Sequence, residues 1–167
     1  IGELVTEVRL ATHDGRVADI PASAMAFGYD RSRLQASGEV LLSAVFKVQS
    51  GDAAVLRATA RASLAFRKGS QPLDTPSAGC IFQNPERGRD VVPDGIPWSA
   101  GALVDRAGLK GVAIGGARVS TTHGNFIVNE GGATAKEIRS LIERCRSDVH
   151  ERFGVALREE IFYLGDF

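Results

Sequence analysis

The stretch VLLSAVFKVQSGDAAVLRATARASLAFRKG, residues 40–69, decides the fold because the period of its apolar residues changes within it. Its first part, residues 40–48, is a nearly continuous apolar run, which is typical of a β-strand covered on both faces. From Asp52 to Gly69 the apolar residues recur at helical spacing, and Asp52 is suited to cap a helix at its N-terminus. The stretch therefore predicts a strand followed by a helix.

A β-hairpin is predicted before this stretch. Apolar residues alternate imperfectly over residues 4–11, and a second short apolar run covers residues 17–20. Between them, His13-Asp14-Gly15 has the composition of a turn. These segments add two strands to the first part of the chain.

The clearest helix is predicted at residues 135–153. Thr134 and Glu137 have the spacing of a capping box, in which each side chain accepts a hydrogen bond from the backbone of the other residue. Gly154 is suited to end the helix. A shorter helix is predicted after Ser99, which can cap it.

A final strand is predicted at residues 155–164. In a regular strand Glu159 and Glu160 point to opposite faces, so one carboxylate points inward and needs a specific reason to do so. Strands come first and helices later, without regular alternation between them. We therefore assign the chain to the α+β class.

The composition narrows the range of functions. The chain has 167 residues with 20 basic and 20 acidic side chains and zero formal net charge, which argues against nucleic-acid and membrane-surface partners. No apolar run is long enough to cross a bilayer, and two cysteines are too few for a disulfide framework, so we expect a cytoplasmic protein. The chain begins at Ile1 without an initiating Met or a signal-peptide pattern, and we expect that an N-terminal portion has been removed.

Cys80 is the first candidate for chemistry. It follows a glycine in SAGCIFQNP, residues 77–85, a loop rich in hydrogen-bonding groups. A thiol has an ordinary pKa of about 8.5, so it can donate a proton or act as a nucleophile near neutral pH. The alternative is a buried structural cysteine, which is the interpretation we give to Cys145 on the apolar stripe of the long helix.

His123 lies in a second polar cluster, HGNFIVN, residues 123–129. It is a candidate base, ligand or loop-stabilising residue, and a nucleophilic pair with Cys80 is one hypothesis. Metal binding is not indicated, because three histidines and two cysteines show no ligand spacing. The glycines of residues 108–116 match no phosphate-loop pattern and are interpreted as turn residues.

Five segments follow one another in a distinctive order. They are SAGCIFQNP (77–85), SAGALVDRAGLKG (99–111), GGARVSTTHGNFIVN (115–129), GGATAKEI (131–138) and FGVALREEIFYLG (153–165). In this order they resemble the C-terminal part of the UDP-N-acetylenolpyruvoylglucosamine reductase (MurB) family, and the resemblance extends from about Phe27 to the end of the chain.

The resemblance implies two parts with different roles. Residues 1–50 correspond to the last strands of an FAD-binding region that is incomplete here, and residues 51–167 correspond to a small α+β substrate-binding domain. The flavin phosphate loops of the family have no counterpart in this chain. FAD is therefore expected to be bound mostly by an N-terminal region that is missing, and the fragment alone is expected to be inactive.

The resemblance also implies a reaction in peptidoglycan precursor synthesis. In this family NADPH reduces FAD, and the flavin passes a hydride to the enolpyruvyl double bond of UDP-N-acetylglucosamine enolpyruvate. A proton completes the product, UDP-N-acetylmuramate. Hydride addition leaves negative charge beside the substrate carboxylate, which the site must neutralise.

The motifs assign the catalytic roles by position. Cys80 stands where the family motif S-A-G-[S/C] has its proton donor, and Glu160 stands where a glutamate polarises the substrate carboxylate. Arg158 replaces the first glutamate of that second motif. Asp30 occupies the position of a family arginine, and we expect Arg31, the next residue, to take over its role through a small adjustment of the loop.

The resemblance assigns binding roles to several other residues. Tyr29, Gln83 and Asn84 are expected to bind substrate, although the family usually has lysine at the position of Gln83. His123 and Asn125 are expected to shape the loop behind the site.

Two other functions remain open from the residues alone. A standalone UDP-sugar-binding module without redox chemistry fits the missing flavin loops and the loss of cations at Asp30 and Gln83. A cysteine-dependent acyl-transfer or hydrolytic enzyme would use Cys80 with His123.

Overall fold

A computed structural model describes residues 2–165. The chain forms two compact units, one up to Leu56 and the other from Arg57 onward. Helix α2, Ala53–Ser70, begins in the first unit and ends in the second. Its predicted cap is confirmed, because the side chain of Asp52 accepts hydrogen bonds from the backbone amides of Ala54 and Val55, both at 2.9 Å.

The first unit is built on a three-stranded antiparallel sheet. Its strands are β1 (Val5–Ala11), β2 (Val17–Pro21) and β3 (Val40–Phe46), in the order β2-β1-β3. The predicted hairpin is therefore confirmed. A short helix, α1 (Leu34–Ser37), precedes β3. The small core of this unit contains Val8, Leu10 and Met25.

Strand β3 lies at an edge of this sheet and differs from the prediction in its burial. The apolar run predicted a strand covered on both faces, but Leu42 is 51% exposed and Phe46 is 44% exposed. An apolar run shows that a strand is able to be buried, whereas actual burial depends on the elements that pack against it.

The second unit contains a four-stranded antiparallel sheet beside two helices. The strands are β4 (Ser77–Cys80), β5 (Ala113–Ile114), β6 (Ala117–Val119) and β7 (Phe126–Asn129), in the order β4-β7-β6-β5. The helices are α3 (Ala100–Arg106) and α4 (Ala135–Phe153). Both units combine helices with antiparallel sheets, so the α+β class is confirmed.

Helix α4 contributes a large part of the core of the second unit. Its N-terminus carries the predicted capping box of Thr134 and Glu137, and Gly154 ends it in the left-handed conformation with φ of 68°. Cys145 is 1% exposed, and burial is the main cause that raises its pKa to about 12. Its assignment to the core is therefore confirmed. None of the helices among residues 2–165 has the length and apolar character needed to span a membrane.

The segment after α4 is not the strand that was predicted. Residues 155–164 make only an isolated antiparallel bridge, between Glu159 and Phe82. Two backbone hydrogen bonds flank it, from Gln83 N to Arg158 O at 2.8 Å and from Glu160 N to Ile81 O at 2.7 Å. The segment therefore lies beside residues 81–83 without continuing as a ladder.

Candidate active site

Cys80 lies at the end of β4, where the strand departs from regular pairing. Ser77 pairs with Val128 and Cys80 pairs with Phe126, and the register shifts between these two pairs. Gly79 has φ of 87°, which a residue with a side chain rarely adopts, so a glycine suits this irregular turn of the strand. The irregularity leaves the thiol half-buried at the edge of the sheet.

Asn125 lies behind this strand and holds it by its side chain. The residue is 3% exposed. Its Oδ1 accepts from the amide of Phe82 at 2.9 Å, and its Nδ2 donates to the carbonyl of Phe82 at 2.7 Å. Its side chain also tends to lower the pKa of the nearby Cys80 thiol. One buried side-chain amide thus holds the backbone after the thiol in place.

Glu160 approaches Cys80 from the C-terminal segment. The hydrogen bond from its amide to the carbonyl of Ile81 places it beside β4, and its negative charge acts on the thiol. The neighbouring Glu159 has other partners, an ion pair with Arg146 at 3.0 Å and a hydrogen bond with Tyr163. The two carboxylates therefore have different partners, although both residues are half-buried and the regular strand on which their alternation was predicted is not formed.

The environment of Cys80 keeps its thiol protonated. Burial raises the pKa of Cys80, the charge of Glu160 raises it further, and the hydrogen bond from Asn125 partly lowers it. The net shift is upward. A raised pKa suits a group that stores a proton at neutral pH, whereas a nucleophilic cysteine requires a lowered one. The structure therefore weighs against the acyl-transfer hypothesis.

The hydrogen bonds of His123 lie within its own loop. Its Nδ1 accepts from the amide of Asn125 at 3.1 Å, and its amide donates to Oγ of Ser120 at 3.3 Å. Its ring packs edge-on against Phe126, with the ring centroids 5.0 Å apart. Burial, with the nearby charge of Lys110, lowers the pKa of His123 and favours the neutral ring. These contacts support the loop-shaping interpretation.

Two glycines allow this loop to pack against α3, and sequence reasoning missed them. A Cβ on Gly124 would lie 2.5 Å from the carbonyl oxygen of Gly101, and a Cβ on Gly101 would lie 2.9 Å from Cε1 of His123. Neither position has room for a side chain. The requirement arises from a contact between two segments and leaves no local signal besides the glycines themselves.

Asn84 links the Cys80 segment to α3. Its Oδ1 accepts from the amide of Ala100 at 3.0 Å, next to Ser99, whose Oγ accepts from Ala102 at 3.2 Å as predicted for a cap. Gln83, one residue earlier, is half-buried, and its backbone amide donates to the backbone carbonyl of Arg158. Both predicted binding residues therefore directly follow the Cys80 strand in the second unit.

Tyr29 and Arg31 belong to the first unit. They lie on a tight turn closed by the hydrogen bond from Gly28 N to Arg31 O at 2.9 Å, and both are exposed. Asp30, between them, has φ of 54°, and its carbonyl accepts from Nε2 of Gln35 at 3.0 Å. The second unit thus brings Cys80, Asn125 and Glu160 together, while the turn at residues 28–31 is a feature of the first.

The glycine turn at residues 115–116 does not form a cradle for a phosphate. A Cβ on Gly115 would lie 1.9 Å from Oε1 of Glu137, so a carboxylate fills the space beside this glycine. Lys110 is paired with Asp105 at 3.1 Å. These residues do not fit the phosphates of a flavin. Within residues 2–165, no group of three or more His, Cys, Asp or Glu side chains is arranged to hold a metal ion.

Comparison with known proteins gives one consistent result. A family model described as UDP-N-acetylenolpyruvoylglucosamine reductase, C-terminal domain, matches residues 71–164. The reductase of that name from Trichormus variabilis is 38% identical over 168 residues, covering 100% of this chain and 48% of the relative. The one from Pediococcus pentosaceus is 37% identical, covering 99% and 52%.

A solved structure with a similar fold carries the same name. The crystal structure of UDP-N-acetylenolpyruvylglucosamine reductase (MurB) from Thermus caldophilus has a TM-score of 0.73 and 36% sequence identity, covering 95% of this chain and 52% of that one. The chain spans about half the length of the curated relatives it matches.

Proposed function

Because the chain belongs to the UDP-N-acetylenolpyruvoylglucosamine reductase family, we propose that it supplies the substrate-binding and proton-donating part of such a reductase. The substrate is UDP-N-acetylglucosamine enolpyruvate and the product is UDP-N-acetylmuramate, a peptidoglycan precursor. When bound, FAD would supply the hydride and NADPH would be its reductant. The glycine turn at residues 115–116 offers no cradle for the flavin phosphates, so we assign flavin binding to the part of full-length relatives that this chain does not cover.

The observation that carries this proposal is the position of Glu160 beside the Cys80 strand, where its amide donates to the carbonyl of Ile81 and its charge helps to raise the pKa of the thiol. When a hydride adds to the terminal carbon of the enolpyruvyl group, the electron pair of the double bond moves to the carbon that bears the carboxylate. The S–H bond of Cys80 then breaks, and its proton forms the new C–H bond at that carbon. The sulfur is left as a thiolate, which takes its next proton from water.

Glu160 is proposed to polarise the substrate carboxylate while the charge develops. The hydrogen bond from its amide to Ile81 sets Glu160 beside the Cys80 strand, which supports assigning both residues to the same substrate. The same negative charge contributes to the raised pKa of Cys80 and so keeps the proton on sulfur until it is needed.

The remaining predicted residues are proposed to bind the substrate. Asn84, held at α3 through its Oδ1, presents its amide N–H groups, and Gln83 replaces a cation of the family with a neutral donor. Tyr29 is also proposed to bind the substrate, whereas Arg31 is proposed as a catalytic residue that neutralises the developing negative charge. In this proposal residues 1–50 belong to the flavin-binding region and residues 51–167 to the substrate domain.

A cytoplasmic location completes the proposal. Both cysteines are free thiols, and Cys80 must stay reduced to donate a proton.

The test is an assay of the chain joined to the N-terminal portion that full-length relatives possess. We expect NADPH oxidation that depends on UDP-N-acetylglucosamine enolpyruvate. If this protein binds FAD and is reduced by NADPH but leaves the enolpyruvyl substrate unreacted, the proposal is wrong.

A second candidate is a UDP-sugar-binding module without redox activity. Two observations favour it. Asp30 and Gln83 stand at positions where the family has cations, and the carboxylate beside Gly115 leaves no room there for a flavin phosphate. Calorimetry on the 167-residue chain discriminates, because a module binds the UDP-sugar at micromolar concentration without any cofactor.

A further inference from the structure

The C-terminal segment pairs in a definite register with the residues that follow Cys80. Phe82 and Glu159 form an antiparallel bridge, and beside it the amide of Gln83 donates to the carbonyl of Arg158 at 2.8 Å. Arg158 therefore lies directly opposite Gln83. Residues in this relationship have their side chains on the same face of the pair, with Cβ atoms about 5 Å apart.

A small cleft lies at this pair of residues. Its lining includes Gln83, Asn84, Asp90 and Arg158. The carboxylate of Asp90 is engaged within its own loop, because it pairs with Arg89 at 2.7 Å. The cleft thus joins two residues with neutral amide side chains to one with a guanidinium.

Ion pairs engage many basic side chains of the second unit. Six of them are paired with a carboxylate: Arg89, Lys110, Arg118, Arg139, Arg144 and Arg146. Arg158 is half-buried and forms no ion pair within residues 2–165. The planar N–H groups of a guanidinium match the oxygens of a phosphate or a carboxylate. Arg158 is therefore available to bind an anionic group of a ligand.

We propose that Arg158 binds the diphosphate of the UDP-sugar and so favours a nucleotide-linked substrate. The proposal rests on the proposed function, because it needs the sugar to lie beside Cys80. A diphosphate is an anion with several oxygens, and a guanidinium can donate to two of them at once. Gln83 and Asn84 border the same cleft and can donate amide N–H groups to the remaining oxygens.

The position of Arg158 along its segment favours the diphosphate over the carboxylate of the substrate. Glu160, whose amide donates to Ile81, is the residue proposed to act on the carboxylate. Arg158 comes two residues earlier, which is roughly 7 Å along extended backbone. The enolpyruvyl group and the diphosphate are attached to different oxygens of one sugar ring. A separation of this order therefore fits the two anionic groups of one substrate molecule.

The test compares the full-length reductase with its Arg158→Gln variant. Glutamine removes the charge, whereas the backbone carbonyl that accepts from Gln83 is unchanged. We expect calorimetry to show roughly tenfold to hundredfold weaker binding of UDP, the effect of losing a hydrogen bond to a charged group. The KM for the enolpyruvyl substrate should rise by a similar factor, while kcat stays within about threefold.

Arg152→Gln is the matched control. Arg152 is exposed in the last turn of α4 and does not border the cleft. This variant removes the same charge from the same unit, so UDP binding should stay within about twofold of the wild type. Arg158→Lys should recover part of the lost binding, because lysine restores the charge without the paired N–H donors.

Three results overturn the proposal. One is unchanged UDP affinity in a folded Arg158→Gln protein. Another is a raised KM for the substrate with unchanged UDP affinity, which assigns Arg158 to the carboxylate. The third is a wild-type protein that does not bind UDP.

A measurement on the unmutated residue protects the test against misfolding of the variants. In the 15N-labelled protein, the Nε–H resonance of Arg158 should shift when UDP is added and stay in place when uridine, which lacks the diphosphate, is added. An equal response to both compounds overturns the proposal.

Failure of this proposal is distinguishable from failure of the proposed function. UDP binding requires no turnover. A protein that binds UDP through Arg158 and leaves the enolpyruvyl substrate unreacted contradicts the proposed function and supports the role of Arg158. An active reductase whose UDP affinity and KM are both unaffected by Arg158→Gln contradicts only the role of Arg158.

Discussion

The backbone amide of Glu160 donates to the carbonyl of Ile81 at 2.7 Å. This single bond joins the C-terminal segment to the residue after Cys80 and places a carboxylate beside a thiol. The Cys80 strand and the carboxylate of Glu160 therefore depend on each other for position, although 80 positions separate Cys80 from Glu160 in the sequence.

Removing the thiol should separate the two halves of the reaction. In the full-length reductase, Cys80→Ala is expected to slow reduction of the enolpyruvyl substrate by roughly 10²–10⁴, the usual contribution of a general acid. Reduction of FAD by NADPH should continue at the wild-type rate. Stopped-flow absorbance of the flavin measures both steps, and an equal loss in both contradicts the role of Cys80. Cys80→Ser should retain part of the activity, because a hydroxyl also donates a proton.

Glu160→Gln should make the thiol more acidic. Burial remains as the main cause that raises the pKa of Cys80, but the contribution of the neighbouring charge disappears, so the pKa falls. Alkylation of Cys80 at neutral pH should therefore become faster, while turnover of the substrate becomes slower. Glu159→Gln is the control, because the carboxylate of Glu159 faces Arg146 and Tyr163 and should leave the alkylation rate within about twofold.

Arg146→Ala should loosen the C-terminal segment without unfolding the chain. Its pair with Glu159 is exposed on the arginine side (51%) and mostly covered on the glutamate side (20%), and it contributes about 1 kcal/mol to the free energy of unfolding. We expect faster hydrogen exchange at the amide of Glu160, which depends on the segment staying in place. Arg144→Ala, which removes an ion pair with Asp148 on the same helix, should leave that exchange rate unchanged.

Gly124→Ala should destabilise the second unit by about 1–3 kcal/mol. The new Cβ would lie 2.5 Å from the carbonyl oxygen of Gly101, so the loop or α3 must shift. Gly69→Ala is a control of opposite sign, because that glycine lies in α2 with open space around it and alanine favours the helix by about 0.5–1 kcal/mol. Urea unfolding, followed by the fluorescence of Trp98 for the first variant and by circular dichroism for the second, measures both.

Cys145 should weaken the fold at alkaline pH. The unfolded chain releases this thiol proton near the ordinary pKa of about 8.5, whereas the folded chain keeps it up to about 12 because of burial. The contribution of Cys145 to the free energy of unfolding is therefore fully present below the pKa of the unfolded chain. It falls as pH rises toward the pKa of the folded chain, by at most about 1.4 kcal/mol per pH unit.

The measurement for Cys145 is urea unfolding at several values between pH 7 and pH 11. Cys145→Ala should cost stability at neutral pH, and the difference from the wild type should shrink as pH rises. Ile142→Val removes core volume without a titratable group, so its cost should stay constant. If the difference in free energy of unfolding between Cys145→Ala and the wild type stays constant with pH, the raised pKa of Cys145 is contradicted.

The elements that the sequence predicted well are those defined by neighbours along the chain. The hairpin depends on the composition of a short turn, and α2 and α4 depend on apolar spacing with caps at Asp52 and Thr134. Capping and periodicity involve residues within one or two helical turns, so a single sequence contains the whole signal. The family motifs likewise predict that Cys80 and Glu160 belong to one site, and this stays a prediction because the motifs give residue types in order and no distances.

The tertiary structure decided which strands are buried and which residues from distant segments come into contact. The apolar run of β3 was expected to be covered on both faces and is exposed, and the predicted final strand is reduced to one bridge with Phe82. The hydrogen bonds between the side chain of Asn125 and the backbone of Phe82 join residues that are 43 positions apart. By itself, then, the sequence determined the α+β class, the caps and the residues of the motifs. The environment that keeps the Cys80 thiol protonated required the folded chain, because burial and hydrogen bonding across segments depend on distances that no local pattern encodes.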